Sequence, residues 1–435
     1  MPADVRARVR AKVGQKRGTL ADGVAGLALE LVSLTATLVS FTLLGRQLGP
    51  TEYGGLVAMY SLIGIAICLA YVGPGLALLQ VGMQKNLDAV ARPFFGQQLV
   101  LTALTTAVVI AVAPFLVPTV PMSTLALFVI AEMVGTALVT LAANLRIVAT
   151  GYRSALWLQL LPQVVKVLVI GGLAIAGQLT LARYGLLYMI GSVAVGVSAF
   201  VITTRKLGIS PRPRAMKADH VRATVSMSST IWAWGLHNDG DKLVMSANHL
   251  GADVGLYAAG YRLVQFGLLP VNALSTSSFR SFLDPAGGDH LQRAVRFSIV
   301  ATVYTTLAAL AIIVAAPFAL PVLVGDGFHA SIAMARWLAP VLILRGILTF
   351  PGNALLGLGR AHARLVAYMS SAAIGMGMYV WLIPSMSWKG AVIGSYASDA
   401  FLVVVLWTLL IRTARARAQT KAPEPEPLRE PVVIG

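Results

Sequence analysis

The sequence is poor in cysteine, in acidic residues and in polar stretches of any length. Its one cysteine, Cys68, rules out an intramolecular disulfide framework. Asp and Glu number 17 among 435 residues, against 34 Lys and Arg, and charged residues together make up only 12%. Soluble domains average about 25% charged and 45–50% apolar residues. This chain is 57% hydrophobic with a mean hydropathy of +0.78, so its solvent is a bilayer. A Gly-rich phosphate loop with its lysine, paired His/Cys metal spacing and a carboxylate-rich prenyltransferase motif are all missing, and no cofactor or metal is expected. The GSYASDAF stretch at 394–401 lacks the strand–turn–helix setting of a nucleophile elbow. No segment between apolar runs can fold into a catalytic or nucleotide-binding domain, so the chain is not expected to be an enzyme.

What remains is a series of long apolar runs, near 19–44, 54–80, 94–118, 121–148, 154–177, 180–204, 223–248, 254–280, 294–324, 331–357, 363–384 and 388–411. Each suits a helix of about 20 residues crossing a hydrocarbon core about 30 Å thick. The runs are too long, and lack the period-2 alternation, for strands. The sequence therefore predicts an all-α polytopic membrane protein with about twelve spans. Residues 1–18 read as a basic tail, 19–204 as a first lobe and 205–222 as a basic linker. Residues 223–411 read as a second lobe, and 412–435 as a disordered Pro/Glu-rich tail.

The net charge of +17 first suggests nucleic acid, but its distribution argues otherwise. Of the Lys and Arg residues, 26 fall on one side of the predicted spans, 3 (Arg46, Arg183 and Lys389) on the other, and five within spans. That asymmetry predicts a cell-membrane protein with both termini cytoplasmic and no nucleic-acid partner. The first apolar run is too long for a signal-peptide core and is expected to be retained.

The halves resemble each other. YGGLVAMYSL (53–62) aligns with VGLYAAGYRL (254–263) at an offset of 201, matching Gly54 to Gly255 and Tyr60 to Tyr261. Six spans per half place both copies in one orientation. The expected arrangement is two six-helix lobes about a pseudo-two-fold axis along the membrane normal, able to rock around a shared central site.

Three segments carry a family likeness: LLGRQLGPTEYGGLVAMYSLIGIAICLAYVGPGLALLQ (43–80), GDKLVMSANHLGADVGLYAAGYRL (240–263) and VLVGDGFHASIAMARWLAPVLILRGILTFPGNALLGLGR (322–360). Here the chain resembles the polysaccharide transporters of the multidrug/oligosaccharidyl-lipid/polysaccharide exporter superfamily, the O-antigen flippase type. The resemblance implies a flippase that moves an undecaprenyl-diphosphate-linked oligosaccharide to the outer leaflet by alternating access. It implies a polysaccharide polymerase and glycosyltransferases as working partners, and the chain is expected to be a monomer.

Charges within spans cost about 2.5–3.5 kcal/mol each on insertion scales, so each should face a partner or water. Lys166, Arg345, Arg262, Lys242 and Arg336 are the candidate cations for a diphosphate, which needs positive charge on a path through low dielectric. The alternative is structural pairing: Glu132 with Lys166, Arg345 with Asp399, Asp241 with Arg262. In span seven, Trp234, His237, Asn238, Asp241, Met245 and Asn248 share one helical face, which suits a cavity that hydrogen-bonds sugar hydroxyls. The tryptophans suit interfacial anchors equally, and His237 an interhelical hydrogen bond. Glu30 in span one is the carboxylate best placed for cation coupling.

Two further readings stay open. A cation-coupled multidrug exporter of the same superfamily would carry a lone acidic cavity rather than a cationic one. A membrane-embedded polysaccharide polymerase would be expected to carry a sizeable outer loop with catalytic groups, and none is present.

Overall fold

The computed structural model describes residues 3–82, 87–215, 218–283 and 289–420. Side chains are described from Val32 onward in these segments, apart from a few isolated positions. The side chain of Glu30 therefore lies outside the described residues, as do residues 421–435. Among the described residues there is no strand, and the chain is a multi-pass bundle of helices.

The first half contains α1 (Ala3–Ile67), α2 (Gly73–Gly82), α3 (Leu87–Leu116), α4 (Met122–Ile130), α5 (Ala137–Thr150), α6 (Leu156–Ile175) and α7 (Leu181–Leu207). The second contains α8 (Ala218–Ala247), α9 (Gly251–Leu283), α10 (His290–Val324), α11 (Ser331–Leu338), α12 (Val341–Gly357), α13 (Ala361–Met386) and α14 (Trp388–Thr420). α14 runs past residue 411, where the sequence suggested a disordered tail, because 412–420 lack helix breakers.

α1 is two spans rather than one. Gly49 leaves helical geometry at φ +70°, a left-handed conformation that glycine adopts without strain, and Pro50 opens the second arm. The rings of Phe41 and Tyr53 lie 5.9 Å apart. Twelve residues along a continuous helix would separate them by about 18 Å, so the chain reverses here.

Nine stretches among the described residues are long and apolar enough to cross a membrane, and one of them, Val32–Gly82, contains this reversal. α8 and α9, 30 and 33 residues long, fall short on apolarity because they carry Asp239, Asp241, Lys242, Asp253 and Arg262. Splitting the first and adding these two gives twelve spans.

The repeat in the sequence marks the axis between the lobes. A methyl group on Gly54 would overlap the carbonyl oxygen of Gly251, and one on Gly255 would overlap that of Pro50. The contact is reciprocal: Gly54 and Gly255, and likewise Pro50 and Gly251, are equivalent positions 201 residues apart, as a two-fold requires. On either side of it the pattern repeats. Gly55 and Gly251 pack on Val120 and Thr119, while Pro50 and Tyr53 pack on Gly327 and Phe328. The Arg46 guanidinium donates to the Val322 carbonyl. These contacts join the lobes at the end of the bundle away from the termini.

Two short π-helical segments interrupt the spans. Cys68–Val72 leads into Gly73, which meets Ser228 of α8, and Ala131–Thr136 carries Glu132. Such bulges shift a helix face by a fraction of a turn. The second one brings Glu132 within reach of α6 and α7.

Candidate functional site: a cation-lined cavity between the lobes

Beneath the sealed end lies a half-enclosed cavity of ≈340 Å³. Its walls come from both arms of α1 and from α6 and α7 in the first lobe, and from α8 and α9 in the second. Three cations reach it, Lys166, Lys242 and Arg262, with one carboxylate, Asp239. Tyr53, Tyr60, Tyr184 and Tyr261 supply aromatic faces and hydroxyls, and Gln163 and Gln265 supply amides.

Each lobe holds a lysine against the tyrosine that the repeat makes equivalent. Lys166 Nζ lies 2.8 Å from Glu132 Oε1 and 4.8 Å from the centre of the Tyr60 ring. Tyr188 Oη donates to the same Glu132 oxygen at 2.8 Å, which fixes the carboxylate. Across the axis, Lys242 Nζ lies 3.1 Å from both Asp239 Oδ1 and Asp241 Oδ1, and 4.3 Å from the Tyr261 ring centre. Tyr257 Oη donates to Asp241 Oδ2 at 2.7 Å. The expected Glu132–Lys166 pair therefore forms. Asp241 pairs with Lys242 instead of Arg262, because its side chain points away from the cavity toward Tyr257.

Arg262 is the exception among these cations. It is half-buried, its guanidinium donates to Gln265 Oε1 at 2.9 Å, and among the described residues it has no carboxylate partner. An unpaired cation on the wall of a membrane cavity is costly unless water or an anion meets it. Double-headed guanidinium donors suit phosphate oxygens.

Arg345 does not reach the cavity wall. It is buried in the second lobe, with Nε 3.3 Å from Asp399 Oδ2, and its guanidinium lies 5.4 Å from the Tyr261 ring centre, behind the cavity. His237 Nε2 lies 2.6 Å from Asp399 Oδ1, and Ser371 Oγ lies 3.3 Å from His237 Nδ1. Arg345, Asp399, His237 and Ser371 thus form one network tying α8, α12, α13 and α14 together.

The polar face of span seven also looks elsewhere. His237 and Asp241 turn into the second lobe, and Met245 is fully buried. Trp234 is 38% exposed, stacks on His237 and meets Tyr368 edge-on, away from the cavity. Asn238 closes on the Trp234 carbonyl at 2.8 Å. Asn248 binds the Val244 carbonyl and borders a separate surface hollow with Lys389. The cavity face of α8 is instead the one carrying Asp239 and Lys242, three residues apart. Arg336 is exposed on the outside of the bundle, bonded to the Ile313 carbonyl at 3.1 Å. Among the described residues no cluster of three or more His, Cys, Asp or Glu side chains has metal-binding geometry.

Asp239, Tyr60, Tyr184 and Gln163 line the site although the sequence does not single them out for it. For Tyr60 a signal existed: its alignment with Tyr261 in the repeat.

No protein-family model matches the chain, and neither does any curated protein sequence. Solved structures do. An inward-facing multidrug-resistance MATE family transporter of the MOP superfamily matches with a TM-score of 0.68 at 12% identity, covering 92% of this chain and 100% of the other. The lipid II flippase MurJ, in an inward closed conformation, matches with a TM-score of 0.67 at 10% identity, covering 93% and 94%. An outward-facing MATE family transporter matches less closely, with a TM-score of 0.54 at 14% identity and coverage of 94% and 93%. At these identities the likeness establishes the fold, two six-helix lobes in this arrangement.

Proposed function

We propose that this chain is an alternating-access carrier of the cell membrane that flips a diphosphate-linked saccharide lipid from the inner to the outer leaflet. The termini would lie in the cytoplasm, as the 26-to-3 split of basic residues favours. The observation that carries the reading is Arg262, a guanidinium with no carboxylate partner among the described residues, beside Lys166 and Lys242 on the cavity wall. The diphosphate would meet this cationic wall while tyrosine faces and glutamine amides engage the first sugar. The lipid tail would stay in the bilayer. A cavity of ≈340 Å³ is near the lower end of the ~300–1,000 Å³ typical of small-molecule sites, so it suits a headgroup proximal to the diphosphate rather than a long oligosaccharide. The seal at the end away from the termini, and the closer likeness to inward-facing structures, support a state that receives substrate from the cytoplasmic side.

A second reading is a multidrug exporter, favoured by Asp239, whose side chain is 34% exposed at the wall and could face a cationic drug. Reconstituted vesicles separate the two. With a fluorescent undecaprenyl-diphosphate disaccharide, wild-type protein should accelerate flipping. Arg262→Gln should slow it about tenfold, the scale of a lost charge-assisted hydrogen bond, and Arg262→Lys less. Transport of organic cations without any flipping of the saccharide lipid would replace the first reading with the second.

A further inference from the structure

A second hollow, larger than the central one at ≈720 Å³, lies on the membrane-facing side of the bundle, where α3 of the first lobe meets α8 of the second. We propose that it is a site for one anionic phospholipid that bridges the lobes, separate from the transported substrate. The walls are apolar and open to lipid: Leu99, Val100 and Val225 are 60%, 59% and 57% exposed. The floor is closed by a buried bond between the lobes, Thr224 Oγ1 to Gln97 Oε1 at 3.0 Å. The groove runs from Gly96 to Thr105 on α3 and from Val221 to Ser229 on α8. At 1.5 Å per residue that is about 12–14 Å, the depth to which one acyl chain enters from the headgroup level.

The headgroup end is basic by construction. The linker crosses it, pinned to α3 by Arg214 N–H to the Arg92 carbonyl at 3.1 Å and by Arg92 Nε to the Arg212 carbonyl at 3.2 Å. Among the described residues Arg214 is the one charged residue lining the groove, and Arg212 and Arg222 stand exposed at the same end. None of the three has an acidic partner among the described residues. A hydrocarbon slot about one leaflet deep with guanidinium groups at its mouth fits an amphiphile with one anionic head. A zwitterionic lipid fills the slot but leaves the arginines unmatched. Because the two walls belong to different lobes, a bound lipid holds them in the spacing described here.

The test is native mass spectrometry of the full-length chain in detergent. Equimolar phosphatidylglycerol and phosphatidylcholine with matched acyl chains would be supplied. Wild-type protein should retain phosphatidylglycerol preferentially, by about fivefold per arginine engaged. Arg214→Gln with Arg222→Gln should bring the two lipids toward parity, whereas Arg183→Gln, a basic residue at the opposite end, should leave the preference intact. Ser229→Trp, which fills the slot, should lower retention of both lipids. The arginine variants are on the surface and keep the test decisive if the tryptophan variant does not fold. Equal retention of the two lipids by wild-type protein, or an equal loss in Arg183→Gln, overturns the proposal.

Discussion

The contact between Gly54 and Gly255 gives the sharpest test of how the lobes move. Replacing Gly54 with alanine places a methyl group on the backbone of Gly251, and backbone cannot swing aside as a flexible side chain can. Overpacking of this kind costs about 1–3 kcal/mol. The cost falls only on states in which the lobes touch here, since alanine within a helix is otherwise favourable by up to about 1 kcal/mol over glycine. The population closed at this end should therefore drop, relative to the open one, by about 5–150-fold. The reciprocal variant, Gly255→Ala, meets the Pro50 carbonyl and should act alike. Gly64→Ala, where nothing lies within 4 Å, is the control. With Cys68 replaced by serine, Ser40→Cys on the cavity wall becomes a unique reporter for a membrane-impermeant maleimide added from the end away from the termini. Labelling should accelerate in Gly54→Ala and Gly255→Ala and stay at baseline in Gly64→Ala. Unchanged labelling in both contact variants, with folded protein, would refute the idea that this glycine pair is the closed gate.

Asp399→Asn should be among the most damaging substitutions, destabilising the detergent-solubilised protein by about 3–5 kcal/mol, because it leaves Arg345 buried without its counter-charge. Thermal unfolding measures this, and Arg345→Met combined with Asp399→Leu should recover part of the loss. Lys166→Met alone should destabilise less than Asp399→Asn, since the lysine side chain is 22% exposed to the cavity and Glu132 keeps its bond from Tyr188. Native protein should react slowly with maleimide at buried Cys68, and labelling should rise only along the unfolding transition.

Much of the fold is written in run lengths. Twelve apolar stretches and a one-sided distribution of basic residues define the spans, even where α8 and α9 are too polar to qualify by apolarity alone. The repeat at 53–62 and 254–263 located the contact between lobes. Side-chain direction was not legible to the same degree. In α8, His237, Asp239, Asp241 and Lys242 span less than two turns and point around much of the helix. A soluble or lipid-facing helix has one polar and one apolar side, so periodicity identifies the buried face. α8 instead has two polar sides, one toward the cavity and one toward its own lobe, and residue type does not distinguish them. The same ambiguity joined Asp241 to Arg262 on paper, whereas Tyr257 turns that carboxylate inward. Arg336 reads as a span charge in sequence, yet it ends on the outside of the bundle beside the Ile313 carbonyl.

The two lysine–carboxylate pairs also constrain how any anion enters. With Lys166 held by Glu132 and Lys242 by Asp239 and Asp241, the cations of an empty cavity are nearly neutralised and the wall is tolerable within a bilayer. An anionic ligand does not find three free charges. It meets Arg262 first and then competes with carboxylates for the lysines. Tyr188 and Tyr257 already donate to Glu132 and Asp241, so these carboxylates keep a partner when a lysine turns toward the cavity. Tyr60 and Tyr261 provide ring faces along which each ammonium can stay engaged during that turn. Under the proposed reading, such an exchange would let Lys166 and Lys242 turn toward an anion while Glu132 and Asp241 each keep a hydrogen-bond donor.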